Sequence, residues 1–287
     1  MGKLVAIGGG KNGRIKSDGT QDPYETKEID EEIVRLTGKE NPKFLFLSQA
    51  QSKPEYEIGY FETMKRIYGD KFNCECSWIS RADLNVLTRE ELKEKILGSD
   101  IIYVGGGDTK TMIELWKKSG LDVFLKEAFD KGVVISGLSA GANAWFKYCS
   151  SDSLKILLED DTAPMIELEC LGWFNLFAVP HYDDKKEYVN REEHLRECLE
   201  KRKDIVGLGI SNYAAIEIID DEYRIIVSNE KGFAEKCYFD ENDNYVQERI
   251  EINTWFNLIN LWLRWWYYES CWNYKFGNKK ISFKKNI

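Results

Sequence analysis

Histidine is scarce in this sequence, with only two among 287 residues, at positions 181 and 194. They fall on separate elements with no ligand cluster around them, so a metal enzyme has little to build on, and no cofactor is expected. The seven cysteines form no CxxC pair, and an odd, scattered set offers no disulfide framework. Cys74 and Cys76 alternate along an expected strand, where packing is the simpler role. The apolar start, Leu4 to Ile7, is too short for a signal peptide. Positive charge is in deficit, 40 Lys and Arg against 49 Asp and Glu, giving a net charge of −9. A nucleic acid or an anionic membrane surface would repel such a chain. These absences point to a cytoplasmic protein with no nucleic-acid partner and no integral membrane span.

What is present, 43% hydrophobic and 31% charged residues, suits one large soluble domain. Strand-like segments at 3–7, 43–48, 72–79, 100–104 and 133–135 alternate with helical stretches near 25–36, 54–68, 88–97, 109–118 and 121–130. Pro54 suits a first helical turn, and Thr88 with Glu91 forms a capping box. Regular alternation of this kind predicts an α/β fold: a doubly wound, mostly parallel sheet with helices on both faces. Beyond the run at 133–135, a helix is expected to lead into a surface loop over 150–169. A strand at 176–179, a helix over 190–201 and strands near 205–210 and 214–219 follow. A hairpin-like pair at 224–228 and 235–239 predicts antiparallel edge strands toward the C-terminus. Residues 1–250 read as this domain, and 251–287 as an aromatic and basic extension. Trp255 to Tyr268 is nearly all apolar but too short to span a bilayer. Packing on the domain or on a second subunit is its simplest reading.

Three glycine-rich turns, 8–10, 105–107 and 137–141, fall at the carboxyl ends of predicted strands, the rim where such sheets bind ligands. The first lacks the G-x-G-x-x-G spacing of a dinucleotide site. The third is Gly137-Leu138-Ser139-Ala140-Gly141 between a strand and a helix-compatible segment, a nucleophile-elbow pattern. It also fits an ordinary βα turn whose serine caps a helix. A serine nucleophile needs a base. His194 lies inside a charged helix, whereas His181 follows a strand and Pro180 at a sheet edge, so elimination selects His181. Acyl transfer further needs two donors for the oxyanion. The Ala140 N–H supplies one, and an N–H from the 105–107 run is the natural second.

Taken together, Gly105-Gly106-Gly107-Asp108-Thr109, Gly137-Leu138-Ser139-Ala140-Gly141-Ala142-Asn143 and Pro180-His181 resemble the peptidase E/cyanophycinase family of serine peptidases. That family has a fold related to class I glutamine amidotransferases, and the resemblance covers roughly residues 3–240. It implies Ser139 as nucleophile, His181 as base, and the Gly106 and Ala140 amides at the oxyanion hole. Residues 190–197 are similar to the family's helix whose leading arginine binds an N-terminal aspartate side chain, which implies Arg191 as a substrate clamp. The family's acidic triad position corresponds here to Asn212, a departure; Asp183, Asp184 or Glu217 could substitute. The implied activity is a dipeptidase acting on a small peptide with an N-terminal Asp. A cyanophycinase-like isoaspartyl peptidase and a catalytically weakened binding protein are the alternatives. The resemblance also admits a homodimer.

Overall fold

Short apolar runs become central strands when both of their faces are covered, and this chain supplies enough of them for two sheets. The computed structural model describes residues 2–15, 19–186 and 189–262. The first half alternates as expected. β1 (Lys3–Ile7) leads to α1 (Lys27–Arg35), and β2 (Lys43–Leu47) to α2 (Pro54–Met64), which continues as a wider π turn over Lys65–Lys71. β3 (Glu75–Ile79) precedes α3 (Asp83–Val86) and α4 (Arg89–Leu97), and the Thr88–Glu91 capping box is formed. β4 (Ile101–Val104) precedes α5 (Thr109–Ser119) and α6 (Leu121–Asp130), which are parted by Gly120 in a left-handed conformation. β5 (Val134–Leu138) then runs into α7 (Ala140–Asn143).

From there the chain alternates between sheets. β6 (Phe146–Ser151), α8 (Ser153–Leu158), β7 (Ile166–Glu169) and β8 (Phe174–Pro180) follow. The two-residue strands β9 (Lys185–Lys186) and β10 (Val189–Asn190) lead to α9 (Arg191–Lys201). The remaining elements are β11 (Val206–Ile210), β12 (Ala214–Ile219), β13 (Glu222–Val227), β14 (Ala234–Phe239), β15 (Tyr245–Arg249), β16 (Phe256–Asn257) and α10 (Ile259–Trp262).

The larger sheet has eight strands in the order β16-β13-β12-β1-β5-β4-β2-β3, and the smaller has six, β15-β14-β11-β8-β6-β7. In the larger sheet β1 to β5 are parallel, and β12, β13 and β16 extend it antiparallel. Period-two alternation divides its side chains. Leu4, Ala6, Leu45, Leu47, Ile102 and Ile135 face one way, into a core shared with the smaller sheet and with α4, α5 and α6. Val5, Ile7, Phe44, Phe46, Ile101 and Tyr103 face α1 and α2. A third cluster packs α9, through Leu195 and Leu199, on the outer face of the smaller sheet. Each fully buried phenylalanine such as Phe44, Phe46 or Phe177 contributes about 1.5–3 kcal/mol.

Three expectations need correcting. The helix after Ser139 is a single turn, because Trp145 and Phe146 bury their rings in the shared core and the chain continues as β6, paired with β8. The expected loop over 150–169 therefore holds the end of β6, then α8 and β7. The strands at 224–228 and 235–239 are not hairpin partners: β13 pairs with β12 in one sheet, and β14 with β11 in the other. At the C-terminus, Ile250, Leu258 and Leu261 join the main core. The apolar stretch beyond Trp262 lies outside the described residues.

Candidate active site

The chain crosses from one sheet to the other at two places that matter chemically. Between β5 and β6 lies Ser139, and between β11 and β12 lies Asn212. His181 follows β8, and the end of β1 ties all three together. The Ser139 N–H donates to the Ile7 carbonyl at 3.0 Å, and the His181 N–H to the Gly8 carbonyl at 3.0 Å. The Tyr213 N–H bonds the Gly9 carbonyl at 3.0 Å, and Gly9 bridges Asn212.

Ser139 sits at φ 58°, ψ −110°, a conformation that costs a non-glycine residue roughly 1–3 kcal/mol and characterises an elbow. Its flanking glycines have steric reasons. A Cβ on Gly137 would lie 2.5 Å from the Gly141 carbonyl oxygen, and one on Gly141 would lie 2.2 Å from the Val104 carbonyl oxygen. The one-turn α7 presents its first N–H, that of Ala140, with no helical carbonyl to meet it. Gly106 is brought against the serine: a Cβ there would stand 3.3 Å from Ser139 Cβ. The Gly106 carbonyl is held by the Gln51 side chain. Asp108 caps α5, with its carboxylate accepting from the Thr111 N–H at 3.2 Å.

His181 and Asn212 meet directly, Nδ1 to Oδ1 at 2.8 Å. Gly9 makes this contact possible, since a Cβ there would lie 2.2 Å from Asn212 Oδ1 and 2.3 Å from His181 Nδ1. That close approach gives the first glycine turn its steric reason. Burial pulls the His181 pKa below its ordinary value, with Arg191 adding to the effect, while the Asn212 bond, Asp184 and Asp152 oppose it. The imidazole is therefore neutral near pH 7, the state a base requires.

His194 lies elsewhere, its Nδ1 2.8 Å from the Ser150 hydroxyl. Glu217 is removed as a triad substitute: it lies opposite Val5 in mid-strand, fully buried, and pairs with Arg224 at 2.7 Å. Asp183 and Asp184 both bond the Asn212 side chain, at 3.0 and 3.1 Å. Ser139 Oγ makes no hydrogen bond among the described residues, so its link to His181 is not made in this structure. Such contacts commonly tighten only once substrate is bound.

Arg191, at the start of α9, is 4% exposed. Its Nη2 lies 3.0 Å from Asp152 Oδ2, and its Nε has no partner among the described residues. Asp152 went unrecognised in the sequence, and Gly9 stood out only as part of the 8–10 turn. Asp152 carries no motif, although its place directly after a buried polar strand end is a usable signal. Gly9 required knowing that β1 ends between β5 and β12.

Among the described residues no helix is long and apolar enough to cross a membrane. The chain is 29% identical over 232 residues to the uncharacterized peptidase YgaJ of Bacillus subtilis (strain 168), covering 81% of this chain and 90% of that protein. It is 24% identical over 198 residues to the uncharacterized peptidase PM1590 of Pasteurella multocida (strain Pm70), covering 66% and 93%. The crystal structure of a peptidase from an acI-B1 Actinobacterium shares the fold, with a TM-score of 0.66 at 16% identity over 90% of this chain and 97% of that one. A putative peptidase E protein from Listeria monocytogenes EGD-e aligns with a TM-score of 0.51 at 16% identity, over 88% and 100%. The model of peptidase family S51 matches residues 15–226. With an elbow serine where the two sheets meet and a family match over most of its length, the chain belongs to peptidase family S51 and is a serine peptidase.

Proposed function

We propose that the protein is an exopeptidase, a dipeptidase that cleaves after an N-terminal aspartate. The observation that carries this reading is Arg191. A guanidinium withheld from water is costly unless its donors are met. Asp152 meets one of them, but its own side chain is 37% exposed, so water screens its charge, and Nε is left to a ligand. A planar fork of this kind suits a carboxylate, and the side chain of an N-terminal Asp supplies one.

In this mechanism the Ser139 proton passes to His181 Nε2 as Oγ bonds the substrate carbonyl carbon. The Ala140 and Gly106 amides receive the developing oxyanion. The tetrahedral intermediate collapses as His181 returns the proton to the leaving amine, and water repeats the sequence on the acyl-enzyme. Asn212 orients the imidazole throughout. No cofactor enters the scheme.

Turnover of a panel of Asp-X, Glu-X, Asn-X and Ala-X dipeptides tests the proposal. Asp-X cleavage that disappears in Ser139→Ala supports it; absence of cleavage, or cleavage that survives Ser139→Ala, refutes it. Including α- and β-linked Asp-Arg separates a dipeptidase from an isoaspartyl peptidase. Binding of Asp-X without turnover identifies a weakened member that has kept its pocket.

A further inference from the structure

We infer that Asp183 and Asp184 are positioning residues that set the tautomer of His181 by locking the Asn212 side-chain amide between them and the imidazole. The inference rests on the assignment of His181 as base and deepens it. In a serine triad a carboxylate behind the histidine does two jobs: it accepts from the imidazole N–H and it stabilises the imidazolium. Asn212 occupies that place, and an amide by itself is ambiguous. Either its oxygen or its nitrogen can face the ring, and the wrong choice puts the imidazole proton on the wrong nitrogen.

The surroundings remove the ambiguity. Asn212 Nδ2 donates to Asp183 Oδ1 at 3.0 Å and to Asp184 Oδ1 at 3.1 Å, which uses both amide hydrogens. The backbone N–H of Asn212 donates to the same Asp183 oxygen at 2.7 Å, so the residue is held at two points. Ionised carboxylates only accept. Turning the amide over would set its carbonyl oxygen against both of them and cost two charge-assisted hydrogen bonds. Oδ1 therefore faces His181 Nδ1 at 2.8 Å, and because this oxygen only accepts, the proton resides on Nδ1. The lone pair is left on Nε2, the nitrogen that takes the Ser139 proton. Asp184 also bonds back through its own N–H to the His181 carbonyl at 2.9 Å, closing the loop on the histidine.

The two jobs of a triad carboxylate are thus divided, the amide accepting and the carboxylates behind it supplying charge. As Ser139 Oγ bonds the carbonyl carbon, its proton moves to Nε2 while the Nδ1 proton stays in place, since the amide oxygen does not take it. The charged groups facing His181 are Asp184 and Asp152, which favour the imidazolium, and Arg191 from α9, which disfavours it.

Nitrogen-15 NMR of the full chain tests this without any substrate, because only two histidines contribute and His194→Gln identifies the other. Wild type is expected to show His181 protonated on Nδ1 at pH 8. In Asp183→Ala/Asp184→Ala the Nε2-protonated form should become the major one, and kcat should fall about 10²-fold with KM within about threefold, against up to 10⁴ for a triad histidine held in the wrong tautomer. The exchange Asn212→Asp with Asp183→Asn places a carboxylate beside the ring and an amide behind it. It should restore the Nδ1 proton and raise the His181 pKa above that of wild type. Unchanged tautomer, pKa and kcat in the double alanine variant overturn the inference. Should that variant fail to fold, as read by its melting transition, Asp183→Asn and Asp184→Asn decide. Each is expected to lower the His181 pKa, and unchanged values overturn the inference. A wild type with the expected tautomer but no turnover of any dipeptide would sink the peptidase assignment of the site while leaving this one standing.

Discussion

Replacing Gly9 with alanine is expected to abolish most activity while sparing the fold. Gly9 is not among the residues with a positive φ, so alanine can adopt its backbone conformation. The added methyl, however, would lie 2.2 Å from Asn212 Oδ1 and 2.3 Å from His181 Nδ1, where ordinary contact begins near 3.4 Å. One or both side chains must retreat by about 1 Å to relieve the overlap. The 2.8 Å hydrogen bond between them then opens beyond bonding range. A displacement of that size in a reacting group costs about 10²-fold in rate. The assay is kcat/KM on the best Asp-X dipeptide, with the melting temperature measured in parallel. Gly8→Ala is a poor control because its Cβ would meet the Ile210 and Ser211 carbonyl oxygens at 2.4 and 2.3 Å, whereas Gly59→Ala meets nothing within 4 Å at a residue without a positive φ. Activity within about threefold of wild type in a folded Gly9→Ala protein would refute the role given to the His181–Asn212 contact.

Other expectations follow from the same site and its surroundings. Arg191→Lys keeps the charge but loses the fork, so KM for Asp-X should rise about tenfold or more and the preference over Asn-X should shrink; unchanged discrimination would remove the clamp. Because burial lowers the His181 pKa, kcat/KM should climb as pH rises through a midpoint below the ordinary histidine value of 6.5 and then level off. A midpoint above that value would contradict the burial argument. Asp30, buried beneath the hydroxyls of Tyr24, Thr26 and Tyr68, is pushed up to about 6 by desolvation. A carboxyl raised in this way contributes stability that is complete below its unfolded pKa and lost as pH rises through the folded one. Wild type should therefore lose on the order of 2–3 kcal/mol relative to Asp30→Asn between pH 4 and 6, and little more above. Denaturant melts of the two proteins read this directly, and a pH-independent difference would refute it.

Strand–helix alternation was legible in residues 3–138 because most of the strands are short, largely apolar runs set off by glycine, proline or a capping residue. The second half was harder to read for a physical reason. Ala140–Asn143 has helix-compatible composition, but Trp145 and Phe146 gain more from burial between two sheets than from extending a helix. Strand pairing across sheets is likewise decided by tertiary packing, which is why β13 and β14, neighbours in sequence, have separate partners. At the site, Ser139 and His181 could be singled out by motif and by scarcity. The strand-end argument reached only the 105–107 run; Gly106 within it, and Arg191, were pointed to by the family resemblance. The links from Asn212 to Asp183 and Asp184 had no sequence signature, because they depend on two chain crossings meeting at the end of β1.

Labelling with a fluorophosphonate probe asks directly whether Ser139 is activated and served by His181. Intact mass and peptide mapping should find one adduct per chain, on Ser139, absent from Ser139→Ala and formed far more slowly in His181→Ala. An adduct on any other residue, no adduct in a protein that cleaves Asp-X, or labelling as fast in His181→Ala as in wild type would contradict it.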